Sequence, residues 1–203
     1  MPGLIVAGVI ALLALIFLAG NYNALVRLRQ HCRESWSDVD TELKRRYTLI
    51  PNLVETVKGY AAHEREVLEA VIAARNRAAA STGSPADQAV DENALVGAMR
   101  QLFAVAEGYP DLKASRNFLQ LQDELSNTED RIQAARRFYN ANVRDLNTRV
   151  QVFPSNLVAG LFGFACEAFF QIDDASVRQP PAVDLGASAC YTLAPPIRER
   201  KNP

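Results

Sequence analysis

The sequence has little of the material from which most active sites are built. Its 203 residues include three cysteines, Cys32, Cys166 and Cys190, odd in number and far apart. They form no Cys-x-x-Cys pair, which excludes a recognisable disulfide framework and suits thiols in a reducing compartment. Two histidines are present. His63-Glu64 opens like a His-Glu-x-x-His zinc helix, but Val67 stands where the second ligand belongs. His31 precedes Cys32, and neighbours on a helix point about 100° apart, so the two do not make a thiol–imidazole pair. A serine nucleophile elbow, a P-loop and a dinucleotide glycine fingerprint are also absent. No cofactor, metal site or catalytic constellation is therefore expected, and the chain does not read as an enzyme. Charge of one sign is missing too, with 22 basic against 23 acidic residues. That balance gives no nucleic-acid signal.

Charge is absent altogether from Gly3 to Gly20, a run long enough for a membrane-spanning helix. No basic residue precedes it, Leu18-Ala19-Gly20 is a poor cleavage site, and no cysteine lies nearby to take a lipid. A retained anchor through residues 3–20 is expected over a cleaved signal. Asn21, Tyr22 and Asn23 suit the water interface. Arg27, Arg29, Arg33 and Lys44-Arg45-Arg46 all follow the span. The positive-inside rule then predicts a single-pass protein of the cell (inner) membrane, with a short N-terminus outside and the main domain in the cytoplasm.

Beyond the span the chain is patterned for helices. Ser115 to Phe153 contains neither glycine nor proline. Phe118, Leu121, Leu125, Thr128, Ile132, Ala135, Tyr139, Val143, Leu146, Val150 and Phe153 recur along it at three- and four-residue steps. The step to Val143 in place of Asn142 is a stutter that unwinds the packing locally. Leu25, Leu28, Cys32, Trp36, Val39, Leu43, Tyr47 and Ile50 make a similar seam, which resumes after Pro51. This predicts a helix over 23–80, kinked at Pro51 or divided there into two. Further helices are expected over 91–107, capped by Asp91 or Asn93, over 115–153, capped by Ser115, and over 155–170, capped by Ser155 or Asn156.

The expected fold is all-α: an N-terminal transmembrane helix in residues 1–22, then an antiparallel four-helix bundle with long helices in 23–170. A Pro-rich, largely extended or disordered tail covers 171–203. The basic triplet Lys44, Arg45 and Arg46 is either paired with Glu42 and neighbouring carboxylates or a partner-binding site. The run from Leu157 to Phe164 is apolar enough to lie on a membrane. It has no lysine or arginine face, which favours bundle packing.

Several motifs together resemble the bacterial LemA family. They are Arg45-Arg46-Tyr47, Leu49-Ile50-Pro51-Asn52-Leu53-Val54, Val57-Lys58-Gly59-Tyr60 with His63-Glu64, and Glu107-Gly108-Tyr109-Pro110-Asp111-Leu112-Lys113. Phe118-Leu119-Gln120-Leu121-Gln122, Thr128-Glu129, Arg137-Phe138-Tyr139-Asn140 and Phe153-Pro154-Ser155-Asn156 extend the match. The resemblance implies a membrane-anchored helical bundle and transfers no catalytic or binding residue. The function expected is that of a membrane-tethered interaction or scaffold protein with unknown protein partners. The alternatives are an accessory or regulator of a membrane protease or transport assembly, or an enzyme whose site has no known motif.

Overall fold

Helix α1 runs unbroken from Pro2 to Lys58, about 85 Å at the usual rise. Its first part is apolar all round, and none of that window is buried against the rest of the chain. After Gly20 the helix becomes one-sided. Leu25, Cys32, Val39, Leu43, Tyr47 and Ile50 turn inward, and Arg27, Arg33, Lys44 and Arg45 stay exposed. The computed structural model describes residues 2–172, which are helices, short connections and a final extended strip. The tail expected over 171–203 lies outside the described residues from Asp173 onward.

The remaining elements are α2 (Arg65–Ala80), α3 (Pro85–Glu107), the single turn α4 (Pro110–Lys113), α5 (Arg116–Gln151) and α6 (Ser155–Phe162). Helix α5 descends along α1 in antiparallel sense. Glu129 meets Arg46, Tyr139 meets Trp36, Asn142 meets Ser35 and Arg149 meets Asn21. The seam predicted for α5 is buried or half-buried from Phe118 to Val150, while Phe153, beyond the helix, is 74% exposed. Helices α2 and α3 form a hairpin beside the upper half of α1, with Arg75 Nε donating to the Tyr47 carbonyl at 3.1 Å. The bundle thus has four helices at its far end. At the end nearer the apolar segment, α1 and α5 are joined by α6 and residues 163–172.

Three boundaries differ from expectation. Pro51 does not divide the first helix, which continues to Lys58; the break falls at Gly59–Glu64. An interior proline costs about 3 kcal/mol. Ile50, Leu53 and Val57, all fully buried, outweigh that by holding the helix in place. Past Lys58 nothing comparable holds it. Gly59 has no side chain to pack, and the N–H groups of Tyr60 and Ala61 both return to the Val57 carbonyl, which closes the turn.

Helix α3 starts at Pro85, not near Asp91. Ser84 and Asp87 form a capping box, each side chain accepting from the other's backbone N–H, with Pro85 in the first turn. Hydrogen bonds from Ser84 hold the Asp87 carboxyl below its ordinary range. Ser115 does precede α5 but makes no side-chain cap. Ser155 caps nothing at α6. Its hydroxyl donates to the carbonyls of Arg149 and Val152 at 2.7 and 2.8 Å, closing the end of α5.

The last helix stops at Phe162, where Gly163 adopts φ +70 and the N–H of Phe164 returns to the Ala159 carbonyl. Residues 163–172 are extended and lie against α5. Asn147 and Asn140 each use both ends of the side-chain amide to pair with this strip. Asn147 bonds the N–H and carbonyl of Glu167, and Asn140 those of Phe170, at 2.8–2.9 Å. The hydroxyl of Tyr139 adds a bond to the Ala168 carbonyl. Phe170 is thereby fully buried, its ring 5.2 Å from that of Trp36. Replacing Asn140 with leucine removes both bonds to Phe170, a loss of about 1–3 kcal/mol. Hydrogen exchange at the Phe170 amide should quicken while that of mid-α5 amides does not. Unchanged exchange at Phe170 would show that the strip is held by its apolar side chains alone.

Candidate functional site

The triplet singled out in the sequence divides in space. Lys44 and Arg45 are exposed on α1, and Lys44 pairs with Asp40 one turn back at 2.6 Å. Arg46 points the other way. It is 1% exposed and lies between three helices. One terminal nitrogen makes a very close bond to the fully buried Glu92 of α3; the other reaches Glu129 of α5 at 2.8 Å. The Glu42 carboxylate, considered as a partner in the sequence, instead faces Arg131 of α5 at 3.8 Å.

Around this ion pair the oxygens of Glu92 are closely matched, while the Nε of Arg46 is buried without a hydrogen-bond partner. Tyr47 donates its hydroxyl to the other oxygen of Glu92. Gln88, one turn before Glu92, offers its amide nitrogen to that same oxygen, to the Tyr47 hydroxyl and to the Ala78 carbonyl, each at 3.1 Å. Two amide hydrogens serve three acceptors, so at least one contact is shared. Burial, and then the Glu92 charge, push the Tyr47 hydroxyl far above its usual range, while Arg46 and Gln88 act in the opposite direction. The tyrosine hydroxyl serves here as a donor to Glu92.

The chemistry available here is cohesive. Arg46 carries one positive charge against the buried Glu92, and Glu129, 38% exposed, keeps contact with water. Among the described residues no group of three His, Cys, Asp or Glu side chains is placed to hold a metal. His63 is exposed on the turn before α2, and His31 is exposed while Cys32 beside it is buried. Burial, with Glu167 and Asp145 nearby, pushes the Cys32 thiol up to about 11, so this sulfur stays protonated and inert at neutral pH.

Glu92, Gln88 and Glu129 were not read as members of a cluster, although a signal existed. Gln88, Glu92, Leu95, Leu102 and Ala106 are the inward residues of α3 at helical spacing. A carboxylate at such a position needs a buried cation, and Arg46 stands between Leu43 and Ile50 on the seam of α1.

The family model for the LemA family matches residues 35–185. The chain belongs to the LemA family. Similar proteins include "Protein LemA" of Metamycoplasma hominis, 29% identical, with 76% of this chain and 71% of the relative covered. "Magnetosome protein MamQ 2" of Paramagnetospirillum magneticum is 26% identical, covering 82% of this chain and 70% of its own. "Magnetosome protein MamQ" of Magnetospirillum gryphiswaldense is 25% identical, with 80% and 69% covered. With its exposed apolar segment, this chain is a membrane-associated LemA-family protein.

The division of the triplet predicts unequal effects from neighbouring substitutions. Changing Lys44 and Arg45 together to glutamine should alter stability by no more than about 0.5 kcal/mol, since both are exposed. Arg46→Gln should cost about 3–5 kcal/mol, because it leaves Glu92 buried and charged without its cation. Chemical denaturation of the full chain in detergent measures both. Equal effects from the two changes would contradict the burial of Arg46.

Proposed function

We propose that this LemA-family protein is a membrane-tethered interaction platform, acting by binding rather than turnover. The observation that carries this reading is the continuity of α1. One helix passes from the apolar segment into the bundle without a break, so the far half of the bundle stands clear of the bilayer. The basic pair Lys44 and Arg45 then stands about 35 Å beyond the end of the apolar run. That height clears the lipid headgroups and suits a protein partner with an acidic surface. The polar faces of α1 and α5 are solvated and charged, while Arg46, Glu92, Tyr47 and Gln88 inside the bundle bond one another.

Orientation follows from the same helix. The basic residues cluster after the apolar run, which supports a cytoplasmic bundle by the positive-inside rule. The finer alternative, a regulator of a membrane protease or transport assembly, is a special case of the same binding mode. An enzyme would need reactive groups converging in a cleft. The groove of about 680 Å³ between α1 and α2 is lined by Pro51, Val54, Glu55, Lys58, Arg65 and Glu69 among others, without such a convergence.

Photo-crosslinking in native membranes tests the reading. A photoreactive residue at position 45 should give discrete protein adducts, and replacing Lys44 with glutamate should weaken them several-fold. Adducts that are absent, or indifferent to Lys44→Glu, would remove this face as the binding surface. The side is checked with the same position as cysteine, in a chain lacking Cys166 and Cys190. Membrane-impermeant maleimide should label it only after lysis, and labelling of intact cells would reverse the orientation.

A further inference from the structure

Helix α6 was expected to pack into the bundle because its own sequence lacks a basic face, yet it buries only Ser155, Val158 and Ala159. The large side chains around it face outward. Phe153, Leu157 and Leu161 are 74%, 65% and 71% exposed; Leu157 and Leu161 are one turn apart in one stripe of α6, and Phe153 lies just before the helix. Val152 and Phe162 widen it, at 51% and 49%. A contiguous apolar patch of this kind on a soluble surface needs an occupant.

The position of the stripe identifies that occupant. The Phe162 ring lies 4.8 Å from the ring of Tyr22, and Phe164 lies 5.8 Å from it. Tyr22 is the second residue past the end of the apolar run, at the height where a bilayer gives way to its headgroups. The stripe is therefore continuous with the surface of the anchor itself. The basic residues that α6 lacks come from its neighbours. A groove of about 610 Å³ opens between the start of the bundle part of α1 and the end of α5. Phe17, Arg144, Arg149 and Phe153 are among its lining residues, with Asp145 as its one acid. Arg149 donates to Asn21 at 3.0 Å, which fixes a guanidinium at the same height, and Arg27 is exposed just above.

We propose that α6 is a second membrane contact. It lies in the headgroup zone of the leaflet from which the bundle emerges, with Phe153, Leu157 and Leu161 at the acyl boundary. Arg144 and Arg149 face the phosphates of anionic phospholipids. An interfacial helix normally buries its apolar side about 5–10 Å into this boundary and carries its own basic face. Here α5 supplies the charge. Two contacts fix the tilt of the rod, where a single helix would leave it free to rock. The inference rests on the membrane anchoring of residues 3–20 and adds a second, separable contact.

Electron paramagnetic resonance of the full chain in phosphatidylcholine–phosphatidylglycerol vesicles tests it. Cys166 and Cys190 are replaced by serine, Cys32 being buried. A nitroxide is then placed by Leu157→Cys, by Leu12→Cys within the apolar run, or by Val90→Cys on α3 as an exposed control. The ratio of oxygen to nickel-chelate collisions should be highest at position 12. At 157 it should be several-fold above that at 90, and Arg144→Gln with Arg149→Gln should lower it. A value at 157 equal to that at 90, with 12 still lipid-exposed, would overturn the inference and leave the anchor intact. Equal values at all three would overturn the anchor as well. Spin–spin broadening at 157 that disappears on dilution with unlabelled protein would assign the stripe to a second copy of the chain and overturn the lipid contact.

Discussion

The far half of the bundle depends on one buried cation. Arg46 leaves α1 between two core residues and joins α3 through Glu92 and α5 through Glu129. A guanidinium removed from water is stable only where its partners are fixed, and its planar fork demands particular directions from them. Apolar seams alone would tolerate sliding by a turn, because leucine, isoleucine and valine fit many neighbours. The ion pair does not tolerate it. With Tyr47 and Gln88 completing the hydrogen bonds of Glu92, the register of three helices is set at a single level.

The membrane half is solved differently. Helices α2 and α3 do not reach it, so α1 and α5 need another cover. An extended strip supplies it, bonded through the side-chain amides of Asn140 and Asn147 and sealed by Phe170 against Trp36. Each backbone group held by an asparagine is one that water need not satisfy. The two halves share α1 and α5, which make a continuous rod from the apolar segment to the cluster around Arg46. A rod of this construction transmits position, which suits a protein that presents a surface at a set height.

Much of this was legible in the residues. The seams of α1 and α5 follow three-four spacing closely enough that their inward residues could be named, including the step to Val143. There Asn142 turns aside to bond Ser35. The all-α class and the apolar segment were equally plain. What escaped depends on tertiary context. Pro51 looks like a break, and only the packing of Ile50, Leu53 and Val57 shows why it is not. The Ser84–Asp87 box is written in the sequence about two turns before Asp91. Gly163 ended α6 early, because an apolar run has no polar residue to mark where helix turns to extended strip. Arg46 was grouped with Lys44 and Arg45 by adjacency, although consecutive helical residues face different ways.

The claim that Arg46 and Glu92 act as one unit is tested most directly by a double-mutant cycle. Arg46→Met and Glu92→Met should each destabilise the chain by about 3–5 kcal/mol, since each leaves one buried charge uncompensated. With both changed, neither member of the pair remains charged, and Glu129, partly exposed, can return to water. The double variant should be more stable than the sum of the single losses implies, by about 2 kcal/mol or more. Losses that simply add would show that the two side chains are not coupled, and the register of the three helices would have to be set by apolar packing.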